Sequence, residues 1–319
     1  MTMVEYAEFL RRALGDTPIV DVHAEDGGGM NSSVLRLRVT TEDGSESFIL
    51  KRPTADQWSQ EAALDEAAFY ALVDTLPAHP PVVPRCLARD AGDNPFVLLE
   101  DLGGTHAPPL SRSEIVDGSN PVPPQPQLDQ VVRTIGRLHG FWWDHDALDQ
   151  VYPPYWIGEG FAHYAQRRSR SWQGLLDRYG DAIPARAREL YPQVLAGLDG
   201  HFRDFLEPRV ASGLTVIHGD CYFSNFLCPR AGGPAVLVDW QSASRGVGAG
   251  DLVNLCATFW TRAERAEWER HVLQTYHAEL RAAGVTDYSM ADLEQDYRLG
   301  LMYWLLMPVQ DGFDGSPPD

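Results

Sequence analysis

The stretch VIHGDCYFSNFLCPRAGGPAVLVDW, residues 216–240, spaces its polar residues in a way that suits one kind of chemistry. Asp220 ends the run His218-Gly219-Asp220, Asn225 follows it after four intervening residues, and Asp239 closes the second apolar run, VLVD. A carboxylate at Asp220 can orient or deprotonate an attacking hydroxyl. An amide oxygen at Asn225 and a carboxylate at Asp239 are hard donors of the kind that hold Mg²⁺ against phosphates. Phosphoryl transfer from ATP also needs a cation to grip the phosphates and a glycine-rich turn whose amides can approach them. Both lie upstream. The loop GGGMNSS over 27–33 contains Gly28, Gly29 and Ser32, and Lys51 ends the apolar run Phe48-Ile49-Leu50. Lys51 is the only lysine in the chain, so 25 of the 26 basic residues are arginine. Lysine is a compact charge on a flexible stem, whereas arginine is a broad planar fork, and the two are not interchangeable at a phosphate. The alternative is an ordinary surface lysine left by composition.

Regular elements must position these groups. Residues 1–14 have the spacing of a short amphipathic helix, with Val4, Phe9, Leu10 and Leu14 on its apolar face. PIVDV reads as a strand, and VLRLRV alternates Leu35, Leu37 and Val39 against Arg36 and Arg38. A turn at TEDGSE returns the chain into SFILK, which makes a hairpin. A helix follows over 56–75 with Phe69, Leu72, Val73 and Leu76 on one face, then the short apolar run FVLLEDLGG. This order describes a small α+β unit. Residues 105–127 are rich in Pro, Ser and Gly and read as an exposed loop or linker. Beyond them the pattern is mainly helical. Leu128, Val131, Val132, Ile135, Leu138 and Trp142 keep a helical period, and Ser289 with Asp292 forms a capping-box pattern ahead of LGLMYWLLM. Two strand-like runs, LTVI and AVLVD, interrupt the helices.

The bulk numbers set outer limits. A hydrophobic share of 44% with 22% charged residues is ordinary for a globular chain. The net charge of -19 and the pI near 4.8 argue against a nucleic-acid partner, because phosphate backbones need basic patches. They leave open an attraction for a cationic substrate. No apolar stretch approaches the length of a membrane span, and no secretory leader is visible at the N-terminus. Cys86, Cys221, Cys228 and Cys256 show no zinc spacing and read as free thiols in a reducing cytoplasm.

HGD-x4-N followed by D-W resembles the aminoglycoside phosphotransferase / choline kinase superfamily, relatives of the protein kinases. LLEDL, LHGFWW, HGDCYFSN, VDWQ and GDLVNL are similar to its ecdysteroid-kinase-like (CHK-type) branch. The resemblance runs from about residue 25 to 305. It implies a two-lobed α+β fold of protein-kinase type, with a β-rich N-lobe over 1–103 and a mainly helical C-lobe over 104–319. It further implies an ATP- and Mg²⁺-dependent phosphotransferase acting on a hydroxyl of a small molecule, such as a natural product, an antibiotic or a sterol-like alcohol. In that frame Asp220 corresponds to the catalytic base, and Asn225 and Asp239 to the Mg²⁺ ligands. Lys51 corresponds to the phosphate-binding lysine and Glu66 to its helix partner. Gly28, Gly29 and Ser32 correspond to the phosphate loop. The backbone from Glu100 to Leu102 corresponds to the inter-lobe hinge that holds adenine.

Neighbouring residues have simpler readings. His218 ties the loop by hydrogen bonds; Asp251 stands at a helix N-terminus, where a carboxylate caps amides, and the resemblance implies that it helps order the catalytic loop. Glu61 is a second candidate partner for Lys51 but lies off the face of Glu66. Trp142, Trp143, Tyr152, Tyr155, Trp156, Phe161, Tyr164 and Trp172, with Tyr303 and Trp304, either line an acceptor pocket or fill a helical core. Asp144, Asp146 and Glu159 either meet an amine or form a solvated face. The rival functions are an aminoglycoside-resistance kinase, a nucleotide- or drug-binding pseudokinase, and a metal-dependent hydrolase using His218, Asp220 and Asp239.

Overall fold

The computed structural model describes residues 3–15, 18–28, 32–116, 121–148 and 159–309. They gather into two compact units. The first comprises Met1–Pro109 with Ser224–Ala243, the second Leu110–Phe223 with Ser244–Asp319.

In the first unit, helix α1 (Met3–Leu14) precedes strands β1 (Ile19–Asp26), β2 (Ser32–Thr41) and β3 (Gly44–Pro53). Helix α2 (Gln57–Thr75) and strands β4 (Cys86–Asp90) and β5 (Phe96–Glu100) follow. The strands form one antiparallel sheet in the order β1-β2-β3-β5-β4. Alternation along β2 does what its sequence requires: Leu37 and Val39 are sealed inside while Arg38 faces water. These side chains join Phe9, Leu10, Val22, Phe48, Leu50 and Leu98 in one core. Helix α1 differs from its expected face at Val4, which is 68% exposed. Its packing against the core begins at Tyr6, so its first turn has nothing to bury against. The Asp56 side chain caps α2 by accepting the Ser59 N–H at 2.8 Å. Chain from far downstream completes this unit. Phe226–Pro229 pairs with Val236–Leu237 on one side and with His106–Ala107 on the other.

The second unit is helical: α3 (Arg112–Val116), α4 (Gln125–Trp142), α5 (Glu159–Tyr179), α6 (Ala185–Ala211), α7 (Ala249–Ala257), α8 (Arg262–Ala282) and α9 (Met290–Trp304). A short antiparallel pair, Thr215–Ile217 with Ser244–Gly246, lies among them. The apolar stripe of α4 is core throughout, since Leu128, Val131, Val132, Ile135, Leu138 and Trp142 are all fully buried. Both capping boxes, Thr261 with Glu264 and Ser289 with Asp292, are formed. Residues 105–127 differ from the linker expected of their composition. His106 and Ala107 enter a sheet, Leu110 and Ile115 are buried, and the Trp260 indole N–H donates to the Pro121 carbonyl at 2.9 Å. Few apolar residues suffice here because each fills a defined place. Among the described residues, no helix is long and apolar enough to cross a membrane.

Helices α4 and α8 approach closely at glycine. A Cβ on Gly136 would lie 2.6 Å from the Glu279 Cβ and 3.3 Å from the Tyr276 carbonyl. Alanine is normally the better helix former by about 1 kcal/mol. Here the clash wins, so Gly136→Ala is expected to lower stability by about 1–3 kcal/mol. Urea denaturation of the variant checks this, and an unchanged or raised midpoint contradicts it.

Candidate active site

Lys51 lies on β3, the central strand of its sheet, opposite Val34 on β2 and Val97 on β5. Its ammonium meets the Glu66 carboxylate of α2 at 2.6 Å and also binds Asp239. Side-chain exposure falls from 31% at Asp239 to 12% at Lys51 and 1% at Glu66, so this is a largely dry triad. Burial by itself disfavours the charged lysine, but the two carboxylates more than offset it and raise its pKa above the ordinary 10.5. Burial pushes the Glu66 carboxyl upward, and Lys51 draws it only part of the way back. Glu61 is exposed and takes a hydrogen bond from Gln57 at 2.9 Å instead.

Glu66 reaches one step further. Its second oxygen accepts the Trp240 N–H at 3.2 Å, and the Trp240 ring stacks on Phe69 at 4.1 Å between centroids. Helix α2 therefore holds the segment carrying Asp239 by hydrogen bond and by ring packing, while Lys51 of β3 binds it by charge. Asp239 itself has φ 72° and ψ 66°, a left-handed conformation that costs a non-glycine residue about 1–3 kcal/mol. Asn225 is tied to the same segment, because its carbonyl accepts the Val238 N–H at 2.9 Å. Asn225 and Asp239 thus offer oxygen donors from one hairpin.

Ser32 lines a small cleft with Lys51, Ser59, Glu66, Val97 and Gln241. In the glycine loop, Gly28 has φ +77° and donates its N–H to Asp26 at 2.9 Å. Gly27 carries the tighter constraint: its N–H bonds the Val34 carbonyl at 2.8 Å, and a Cβ there would stand 2.8 Å from Val34 Cγ1. Gly29 lies outside the described residues. At the end of β5, the Glu100 N–H bonds Arg85 at 3.1 Å, and the Leu102 carbonyl accepts from Thr105 and His106. Between them, burial would raise Asp101. Hydrogen bonds from Ser47, the Gly103 N–H and Arg36 instead hold its carboxyl below the ordinary range. The Arg36–Asp101 pair, at 2.8 Å, clips β2 to this segment and has no local sequence signature.

Asp220 belongs to the second unit, and the loop before it is built on Asp251. That carboxylate accepts the His218 N–H at 2.7 Å, the Gly219 N–H at 2.9 Å and the His139 ring at 3.1 Å. Asp251 therefore serves the loop, and not the amides of its own helix, where the cap position is Gly248 with no side-chain cap bond. Burial opposes its charge, yet the His139 ring and the His218 N–H bring its pKa below the ordinary value. A carboxylate only accepts, so the His139 Nε2 carries the proton. The other ring nitrogen lies 2.8 Å from the Tyr276 hydroxyl, which burial keeps neutral. Asn254 donates to the Gly219 carbonyl at 3.2 Å, and His218 Nδ1 faces the Asp220 N–H at 3.3 Å. The fully buried His218 is thus a tie within the loop. Burial, with Asp251 and Asp220 nearby, raises the Cys221 thiol far above its ordinary range and keeps it neutral.

Sequence reasoning missed His139 and Tyr276, although LHG carried the histidine in plain view. Nothing near residue 139 announces a partner at 251 or 276. The Asp144 side chain accepts from Ser212, the Gly213 N–H and the Leu214 N–H, so it ties its loop to the segment before Thr215. Asp146 is exposed. Tyr152, Tyr155 and Trp156 lie outside the described residues, as do the side chains of Glu159 and Phe161.

Residues 27–285 match the sequence profile of APH, the phosphotransferase enzyme family. In fold the chain is similar to the GDP complex of wild-type aminoglycoside 2'-phosphotransferase-IIIa, with a TM-score of 0.50 at 15% identity over 97% of this chain and 98% of that one. It is also similar to an ethanolamine kinase of Plasmodium vivax, with a TM-score of 0.55 at 11% identity over 97% of this chain and 84% of the other. Among curated proteins, none matches the chain in sequence. At such identities the likeness shows the fold: kinase-like α+β, with an antiparallel sheet in one lobe and helices in the other.

Two outcomes follow from this geometry. Because Lys51 is the only lysine, ¹⁵N-lysine labelling gives one side-chain signal. Its midpoint is expected above 10.5 and lower in Glu66→Gln. A lysine raised in the fold contributes stability that is complete below the unfolded value and is lost as pH rises through the folded one. A midpoint at or below 10.5 in the wild type contradicts the triad. Separately, Tyr276→Phe leaves the buried His139 Nδ1 unpaired, a cost of about 1–3 kcal/mol. Amide exchange at His218 and Gly219 should quicken, and unchanged exchange there would detach Tyr276 from the loop.

Proposed function

The chain belongs to the phosphotransferase enzyme family, and on that premise we propose that it transfers the γ-phosphoryl group of ATP to a hydroxyl of a small molecule. The observation that carries the reading is the dry ion pair of the sole lysine, Lys51, with Glu66 at 2.6 Å. A buried pair is costly to maintain for stability alone. It makes sense where an ammonium must be held at one point for a phosphate. Asp220 then takes the proton of the acceptor hydroxyl. The hydroxyl oxygen forms a bond to the γ-phosphorus as the bond to the β-phosphate oxygen breaks, and ADP leaves. Ser32 and the Gly28 backbone would serve the phosphates, and the Glu100–Leu102 backbone would take adenine.

Asn225 and Asp239 would hold Mg²⁺. The donor set fits, because both are hard oxygen ligands on one hairpin. No group of three or more His, Cys, Asp or Glu able to hold a metal occurs among the described residues. An ion that takes one or two protein ligands and completes its shell with phosphate and water matches that pair. When bound, Mg²⁺ neutralises charge on the β- and γ-phosphates. The segments LLEDL, LHGFWW and GDLVNL support placing the chain in the ecdysteroid-kinase-like branch, and four free cysteines support a cytoplasmic setting.

Asp220→Asn is expected to bind ATP and to lose about 10²-fold or more in turnover. Near-normal ADP release by the folded variant would remove Asp220 from the reaction. Lys51→Arg keeps the charge but widens the head group, and a displacement near 1 Å costs about 10²-fold in rate. Steady-state kinetics beside Arg52→Lys tests this, with equal rates in both variants and wild type counting against the phosphate grip. Asp239→Ala should abolish the Mg²⁺-dependent part of ATP binding, read by calorimetry with and without the ion.

A further inference from the structure

Resting on the phosphotransferase reading, we propose that Lys51 masks the metal ligand Asp239 in the nucleotide-free protein, so that the cleft takes up Mg²⁺ together with a nucleotide and not alone. The ammonium binds two carboxylates at once, Glu66 at 2.6 Å and the Oδ1 atom of Asp239. Asp239 is the most exposed member of the triad and therefore the one an incoming ion meets first. The oxygen it would offer is the one the lysine already holds.

The surrounding bonds fix this contact. Glu66 holds the ammonium with Oε2 and accepts the Trp240 N–H with Oε1, at 3.2 Å. One buried carboxylate thereby sets the position of the lysine and of the residue after Asp239. On the other side, the Val238 N–H is fastened to the Asn225 carbonyl at 2.9 Å. Asp239 is clamped between two tethered neighbours, in a left-handed conformation, with its side chain on the lysine. All of these residues lie in the first unit.

Charge makes the lysine and a free ion rivals. A divalent ion on the Asp239 carboxylate would lie within about 4–6 Å of an ammonium bound to that same carboxylate, where like charges disfavour each other. Little else would hold the ion, since no group of three or more His, Cys, Asp or Glu able to bind a metal occurs among the described residues. Phosphates change both sides of this contest. They give the ammonium an anion other than Asp239, and they give the ion the oxygens that Asn225 and Asp239 do not supply by themselves. Nucleotide and metal then raise each other's affinity by one common factor, as linkage requires.

Equilibrium dialysis of the full chain against Mn²⁺, which seeks the same oxygen ligands as Mg²⁺, tests the proposal. Because an acidic surface holds ions of its own, only the share of retention that an added Asp239→Asn removes is counted. Lys51→Met combined with Glu66→Gln removes one positive and one negative charge, so the net charge around Asp239 is kept while its mask is gone. Without nucleotide, this double variant is expected to bind Mn²⁺ about tenfold or more tightly than the wild type. The wild type should retain the ion when ADP is added. Equal nucleotide-free retention in the two proteins overturns the mask, and so does retention in neither. Near-UV circular dichroism checks the fold of the double variant. If it is not folded, the ¹⁵N signal of the sole lysine in the wild type replaces it: ADP is expected to move that signal and Mg²⁺ alone to leave it in place. A shift with Mg²⁺ alone overturns the proposal. The ADP arm separates the two readings. If ADP brings Mn²⁺ to the wild type but removing Lys51 uncovers no site, the mask fails and the phosphotransferase stands. If removing Lys51 uncovers a site at Asp239 while ADP neither binds the wild type nor moves its lysine, the mask stands and the phosphotransferase fails.

Discussion

One ammonium among two carboxylates organises the first unit. Lys51, Glu66 and Asp239 come from a central strand, a helix and a hairpin, and both carboxylates favour the charged ammonium between them. Removing Lys51 would leave the buried Glu66 carboxylate without its counter-charge, a loss of about 3–5 kcal/mol. That cost is what fixes the depth of α2 against the sheet and the path of the chain through Asp239. The stacked Phe69 and Trp240 rings add a purely apolar restraint on the same two segments. The left-handed backbone at Asp239 is tolerable because its neighbours hold it from three sides.

The second unit solves a similar problem with an acceptor at its centre. Asp251 is fully buried, and its charge is stabilised by two backbone amides and an imidazole. Hydrogen bonds to a buried carboxylate are strong and directional, so they order the loop leading into Asp220. Tyr276 extends the network to α8, and Gly248 makes room for it. A Cβ at position 248 would stand 2.7 Å from the His139 ring nitrogen. The consequence is a loop whose geometry depends on three helices at once.

Electrostatics acts on two scales here. Over the whole chain, acidic residues outnumber basic ones by 45 to 26, which sets solubility and the long-range field. Within a few ångströms the balance is local, as where the Arg168 guanidinium lies over the Tyr164 ring at 4.7 Å.

The spacing of Asp220, Asn225 and Asp239, the isolation of Lys51, and the placing of Glu66 on its helix were all legible in the amino-acid order. So were the core face of α4 and the capping box of α9. Each of these is written within a few turns of helix or one hairpin, where periodicity and local hydrogen bonding decide the outcome. The role of His139, the clip of Arg36 on Asp101, and the burial of Leu110 and Ile115 were not legible, and the service of Asp251 to the loop was implied only by the family resemblance. Their partners lie scores of residues away or on another element, and no local pattern encodes them. The same holds for the aromatic residues. Composition shows that rings crowd these segments, but only the packing of helices from separate parts of the chain determines which rings are sealed and which keep a face toward solvent, because burial depends on what arrives from elsewhere.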